Sequence, residues 1–276
     1  FQSLNGAPLR SAPGFLARFL VTKLRRRLDR MLGRKPRWAV AYRRAPEGRT
    51  HPPGTLDISA FTLLDDDGKR YYADPFLFEH QGKVHLFVEE VPDATGRGII
   101  SHSVLGPDGR FPRPRSVLER PYHLSYPQVF AHAGEIWMMP ETSASGAIEL
   151  YRATAFPDRF ERHARLIEGA YHDATFFEYD GRLWIAAGSE SPPGQRSGGS
   201  SSWDGLSLFQ AAKLEGPWSP HPMNPVLVDR RSARPAGNPY RSGGKLFRPA
   251  QDCSTGYGSA LALSELRSIS IHSYSA

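Results

Sequence analysis

Residues Asp74 to Glu90 read DPFLFEHQGKVHLFVEE: one apolar-rich run, a polar turn at Gly82, and a second run ending in two acids. Strand-forming residues on either side of a glycine-marked turn spell a β-hairpin. Three more stretches fall into the same frame. Placing Gly134 on Gly82 aligns YPQVFAHAGEIWMMPET from Tyr126, Gly181 aligns DATFFEYDGRLWIAAGS from Asp173, and Gly244 aligns AGNPYRSGGKLFRPAQD from Ala236. Each copy is followed by a further strand-like run: GIISHSVL from Gly98, AIELYRA from Ala147, LSLFQAA from Leu206 and SALALSEL from Ser259. Steps of 52, 47 and 63 residues, each holding three or four strands, have the size of propeller blades.

Outside the four copies, WAVAYR (Trp38 to Arg43) and Ser268 to Tyr274 supply a stray strand at each end. Pairing the chain ends in one blade removes exposed edges. The expectation is an all-β, five-bladed β-propeller over residues 38–276, its fifth blade partial or built from the termini. SPPGQRSGGSSS (Ser191 to Ser202) lengthens the third step and reads as a surface loop. Fifty Gly and Pro residues and 31 aromatics in 276 fit many short strands joined by tight turns.

Residues 1–37 are of another kind. Leu16, Leu20, Leu24, Leu28 and Leu32 recur every fourth position, so this part is expected to be a leader followed by a basic amphipathic N-terminal helix. Between Arg18 and Arg44 eleven basic residues face one acid, a local charge of +10. The whole chain carries +7, which leaves −3 for everything else. A groove that tracks phosphates needs positive charge spread over the folded surface. The sequence therefore argues against a nucleic-acid partner, and it suggests peripheral membrane contact through residues 15–37 or docking on a neighbouring domain. It also suggests a cytoplasmic protein that meets the membrane only at its surface. The single cysteine, Cys253, leaves no intrachain disulfide framework, and no motif asks for a metal or another cofactor.

Hairpin geometry brings the start of each first strand and the end of each second strand to one edge. Asp74, Tyr126, Asp173 and Ala236 share the first place; Glu89, Glu141, Gly188 and Gln251 share the second, with Glu90 and Asp252 one residue later in their copies. Packing demands are the same in every blade, so residues that change while the frame is kept point to function. Crowded carboxylates raise the pKa of a member, bind a cation, or are neutralised by Arg and His, for which Arg234, His123 and His172 are candidates. Tyr122, Tyr126, Trp137 and Trp203 are candidates for stacking on sugar rings.

The run of motifs YADPFLFE, FVEE, ERPYHLSYP, MMPETS, IELYRA, RSARPAG and RPAQDCS resembles the five-bladed propeller domain at the N-terminal side of glucosamine inositolphosphorylceramide transferase and its bacterial relatives. That domain is similar in turn to the arabinanase, levansucrase and invertase superfamily. The superfamily resemblance implies an axial Asp in the first blade as base or nucleophile, here Asp74, and a later Asp that tunes pKa, here Asp173. It implies a Glu as acid as well. That acid usually comes from a later blade than the second, whereas facial geometry offers Glu141, with Glu89, Glu90 and Asp252 behind it. The expected function is action on a glycosidic bond of a carbohydrate or glycolipid, with Asp74, Glu141 and Asp173 catalytic and Glu89, Glu90, Tyr126, His123, His172, Arg234 and Asp252 holding substrate. The rival expectation is a non-catalytic, glycan-binding propeller beside a partner transferase domain. A purely protein-binding propeller is a third, against which the converging carboxylates argue.

Overall fold

A computed structural model describes residues 37–44, 61–190 and 203–276. Among them every regular element is a strand, apart from one 3-10 turn at Ser143–Ser145. The helix expected in the basic segment and the insert at 191–202 lie outside the described residues, except for Arg37. No helix among the described residues is long and apolar enough to cross a membrane.

A ribbon of β1 (Ala41–Tyr42) and β2 (Thr62–Leu63) precedes the blades. Blade one is β3 (Arg70–His80), β4 (Lys83–Pro92), β5 (Ile99–Val104) and β6 (Arg115–Leu118). Blade two is β7 (Ser125–His132), β8 (Glu135–Glu141), β9 (Ala147–Ala155) and β10 (Arg159–Glu168). Blade three is β11 (His172–Tyr179), β12 (Arg182–Ser189) and β13 (Gly205–Ala211), with β14 (Ser219–Pro220) and β15 (Leu227–Val228) both paired to β13. Blade four has three strands, β16 (Tyr240–Ser242), β17 (Lys245–Asp252) and β18 (Ala260–Leu266). A second ribbon, β19 (Ser268–Ile269) and β20 (Tyr274–Ser275), follows. The described residues form an all-β propeller, and the four repeated hairpins are its blades.

At each hairpin turn both residues have positive φ: 49° and 71° at Gln81–Gly82, 51° and 81° at Ala133–Gly134, 50° and 69° at Asp180–Gly181, 54° and 76° at Gly243–Gly244. Turns of this hand match the twist of the strands they join. The blades then stack on apolar layers. Phe87, Ile100, Val129, Met138 and Tyr151 fill the layer between blades one and two. Met139, Leu150, Phe176 and Ile185 join blades two and three, and Trp184, Leu208, Leu246 and Leu266 join three and four. Each such side chain contributes about 1.5–3 kcal/mol on leaving water.

Four blades are present among the described residues, not five. The expected fifth sheet from the two chain ends is not formed: β1 pairs with β2 and β19 with β20, in separate sheets. Val40 and Leu64 beside the first ribbon are buried with Tyr72, Leu86 and Val88 of blade one, while Ile269 packs into the layer of blades three and four. Each short ribbon is committed to the apolar face of the blade nearest in sequence.

One irregularity recurs. In blades one to three the inner hairpin slips register at the same place: between Ala73 and Phe76, Ser125 and Gln128, and His172 and Thr175. The first residue of each bulge, Asp74, Tyr126 and Asp173, has φ of 46°, 48° and 50°. Non-glycine residues hold that conformation at a cost of about 1–3 kcal/mol each, and bulges re-aim a side chain. The strain falls on the three axial positions.

Candidate functional site

The axial residues and the acids opposite them meet around one centre. Ala73 pairs with Glu89 and Ser125 with Glu141, so each acid sits across from the residue that leads into a bulge. Asp74 Oδ2 accepts from the Tyr126 N–H at 3.3 Å, which ties blade one to blade two. Asp173 is 2% exposed, and its Oδ2 accepts from Arg234 Nε at 2.5 Å and from Gln251 Nε2 at 3.0 Å, which ties blade three to blade four. Glu141 Oε1 lies 3.4 Å from His172 Nδ1 and its carboxylate accepts from the Ser143 N–H. Glu89 Oε1 lies 2.9 Å from His123 Nε2, while the Gly98 N–H donates to His123 Nδ1 at 3.0 Å. With Nδ1 accepting, the ring proton is on Nε2 and points at Glu89.

Charge couples these groups. Burial, then the charges of Asp173 and Glu89, push Asp74 up to about 8, which favours its protonated form. Burial pushes Asp173 upward too, against the pull of Arg234. Burial also works to raise Glu141, but bonds from His172 and Ser143 outweigh it and hold Glu141 below its ordinary value. The Glu89 hydrogen bond draws His123 upward against its burial, aided by the charges of Glu89 and Glu141. Asp74, Glu89, Glu141, His123, His172, Asp173 and Arg234 therefore form one electrostatic unit. Asp74 is thus drawn toward its protonated form and Glu141 toward its ionised one.

Other expected site residues lie elsewhere. Glu90 follows Glu89 by one residue and so faces the other side of β4, where it is 3% exposed and bonded to Arg70 and, at 2.7 Å, to Ser101 Oγ. Asp252 ends β17, where its Oδ1 accepts from the Ser254 N–H at 2.9 Å and so caps the turn that follows. Tyr126 reaches the centre but offers no face to a sugar. Its ring is 3% exposed, edge-on to Phe76 at 4.7 Å, and its hydroxyl meets Thr175 Oγ1 at 2.9 Å and the Gly237 N–H at 2.6 Å. Tyr122 donates to Glu149 Oε2 at 2.6 Å, and Trp137 is core at 4% exposed. Gln128 of blade two reaches blade three and the segment before blade four: it donates to Phe176 O and Asn238 Oδ1 at 2.8 Å each and accepts from the Phe176 N–H at 2.7 Å.

Two residues at the rim went unread in the sequence. Gln251 was placed in the frame but given no role, and it bonds Asp173. Tyr257, in the turn after β17, lies over the Arg234 guanidinium at 5.1 Å. Blade four supplies Ala236, Arg234 and Gln251 to this end, so no acid of the cluster comes from it. Among the described residues no group of three or more His, Cys, Asp or Glu is arranged to hold a metal ion.

Solved glycoside hydrolases share this fold. An α-L-arabinanase of Cellvibrio cellulosa, solved with arabinohexaose, superposes with a TM-score of 0.53 at 16% identity, over 76% of this chain and 77% of that one. A thermostable family-43 glycoside hydrolase gives 0.59 at 12% identity, over 78% and 81%. At such identities the likeness is one of fold. Residues 63–276 match the family described as glucosamine inositolphosphorylceramide transferase 1, N-terminal, and the chain belongs to that family. Glucosamine inositolphosphorylceramide transferase 1 of Arabidopsis thaliana is 30% identical over 207 residues, and that of Oryza sativa subsp. japonica 32%. The match takes in 74% of this chain and 26–27% of theirs, so the chain spans about a quarter of the length of these relatives. Both are plant proteins, and the bacterial part of the expected resemblance finds no support among them.

Proposed function

We propose that this propeller recognises the sugar headgroup of a glycolipid at its carboxylate end and serves a glycosyltransferase region. The observation that carries the reading is the partnering of the acids. Asp173 is held by Arg234 and Gln251, Glu141 by His172 and Ser143, and Glu89 by His123, while Asp74 is kept protonated. Carboxylates fixed in this way still offer lone pairs to sugar hydroxyls, and Arg234 and Asp74 offer protons. Hydrolysis asks for an acid and an unencumbered base across one bond, and blade four adds no acid to the set. The name borne by the plant relatives points to a glucosamine-bearing inositol headgroup as the first ligand to try. In the same reading the protein is cytoplasmic and meets an anionic membrane through its basic segment at residues 15–37.

A second reading is cleavage or transfer of a glycosidic bond with Asp74 as acid, Glu141 as base and Asp173 as modulator. The opposite displacement of the Asp74 and Glu141 pKa values favours it. Calorimetric titration with glucosaminyl-inositol, followed by mass spectrometry after long incubation, separates the two. Saturable binding with the ligand recovered whole is the recognition result; a released monosaccharide that disappears in Asp74→Asn establishes the catalytic one. No binding at all refutes both.

A further inference from the structure

We propose that Tyr257 and Trp203 form an aromatic subsite for the second ring of the ligand, which makes this a site for a glycoside of two or more rings. The inference rests on the sugar-binding reading above. From the buried carboxylate of Asp173 a ladder of side chains runs outward. Arg234 bonds Asp173, and its guanidinium carbon lies 5.1 Å from the Tyr257 ring centre. Tyr257 in turn is 5.5 Å from the Trp203 ring, the two planes tilted by 41°. The Arg230 guanidinium is 5.8 Å from Trp203, and Arg230 Nε lies 3.1 Å from Asp204, which is 1% exposed.

The two rings are thus anchored at both ends by ion pairs to buried carboxylates, Asp173 and Asp204. Each guanidinium lies over a ring face and so fixes that ring's orientation. Tyr257 remains 43% exposed although it is a large aromatic at the lip of a polar site. A rigid, half-open aromatic wall beside convergent polar groups suits the C–H face of a sugar ring. Position assigns the ring it would hold. In this ladder Trp203 follows Tyr257 and Arg234, so it lies farther from Asp173 than the groups that would grip the first ring.

The competing account is that Tyr257 only covers Arg234. In that case its loss would disturb the Asp173–Arg234 pair and weaken every ligand alike. Calorimetry with methyl glucosaminide, a one-ring probe, and glucosaminyl-inositol, a two-ring probe, decides between them. Trp203→Ala and Tyr257→Ala are expected to weaken the two-ring probe about tenfold or more and the one-ring probe less than about twofold, with Tyr257→Phe near wild type on both. Equal losses on both probes, or none in either alanine variant, would overturn the subsite. So would a wild type that binds both probes equally well. A wild type that binds neither probe instead brings down the sugar-binding reading, and the subsite with it.

Discussion

Arg234 donates to Asp173 across 2.5 Å, with side chains only 8% and 2% exposed, and that pair joins blade four to blade three at the centre of the site. Removing one partner of a buried ion pair strands the other charge. Arg234→Met is therefore expected to destabilise the fold by about 3–5 kcal/mol, and Arg234→Met with Asp173→Asn by clearly less. Urea midpoints of the two variants check this; a double variant no better than the single would show that the arginine acts through packing.

Asp74 is raised by folding, and the sign of its linkage follows. An acid with a raised pKa favours the fold fully below its ordinary value near 3.8 and loses that contribution as pH climbs through about 8. The stability of wild type minus that of Asp74→Asn should fall steadily from pH 4 to pH 8 and then level. A flat difference across that range would mean that the carboxyl is not held protonated.

Blade one carries the opposite sign. His85 Nδ1 and His102 Nε2 lie 2.9 Å apart, 4% and 7% exposed, and burial lowers both, His102 to about 4. A lowered histidine contributes fully above its ordinary value of 6.5 and loses that contribution as pH falls toward 4. His102→Gln should lose less stability between pH 7 and pH 5 than wild type does, as read from urea midpoints at the two pH values.

Gly98 stands under His123. A Cβ there would come within 2.3 Å of the Leu124 carbonyl oxygen and 2.8 Å of the His123 ring, and the nearest obstacle is backbone. Gly98→Ala must push the Pro121–Leu124 loop away and part His123 from Glu89, at a cost of about 1–3 kcal/mol. Weaker binding of glucosaminyl-inositol with the fold retained is the expected outcome, measured by calorimetry and circular dichroism.

For the basic segment, a variant beginning at Trp38 should lose association with anionic vesicles and keep its affinity for the soluble headgroup. Sedimentation with phosphatidylserine vesicles reads the first. Unchanged sedimentation would dispose of the membrane role.

The blades were legible because each hairpin declares itself locally: a turn glycine at 82, 134, 181 or 244, an aromatic four residues before it, and an apolar run after. The convergence of Asp74, Asp173, Glu141 and Glu89 followed from that frame alone. The bulges were not legible, since a left-handed Asp or Tyr bears no mark where Gly would have shown one. Glu89 and Glu90 are adjacent and look alike, yet strand alternation sends one to the site and the other to Arg70. Tyr126 misled because an aromatic at an axial position serves equally as sugar platform and as core. Blade count failed at the ends, where two-residue ribbons are placed by the faces they cover and carry almost no pattern of their own.

A sugar is proposed to sit among Asp74, Asp173 and Arg234. A crystal structure of the protein with glucosaminyl-inositol tests it most directly. One ring is expected within hydrogen-bond distance of those three side chains and the second against Tyr257 and Trp203. A ligand bound at any other place, with the Asp173–Arg234 pair untouched, would contradict it.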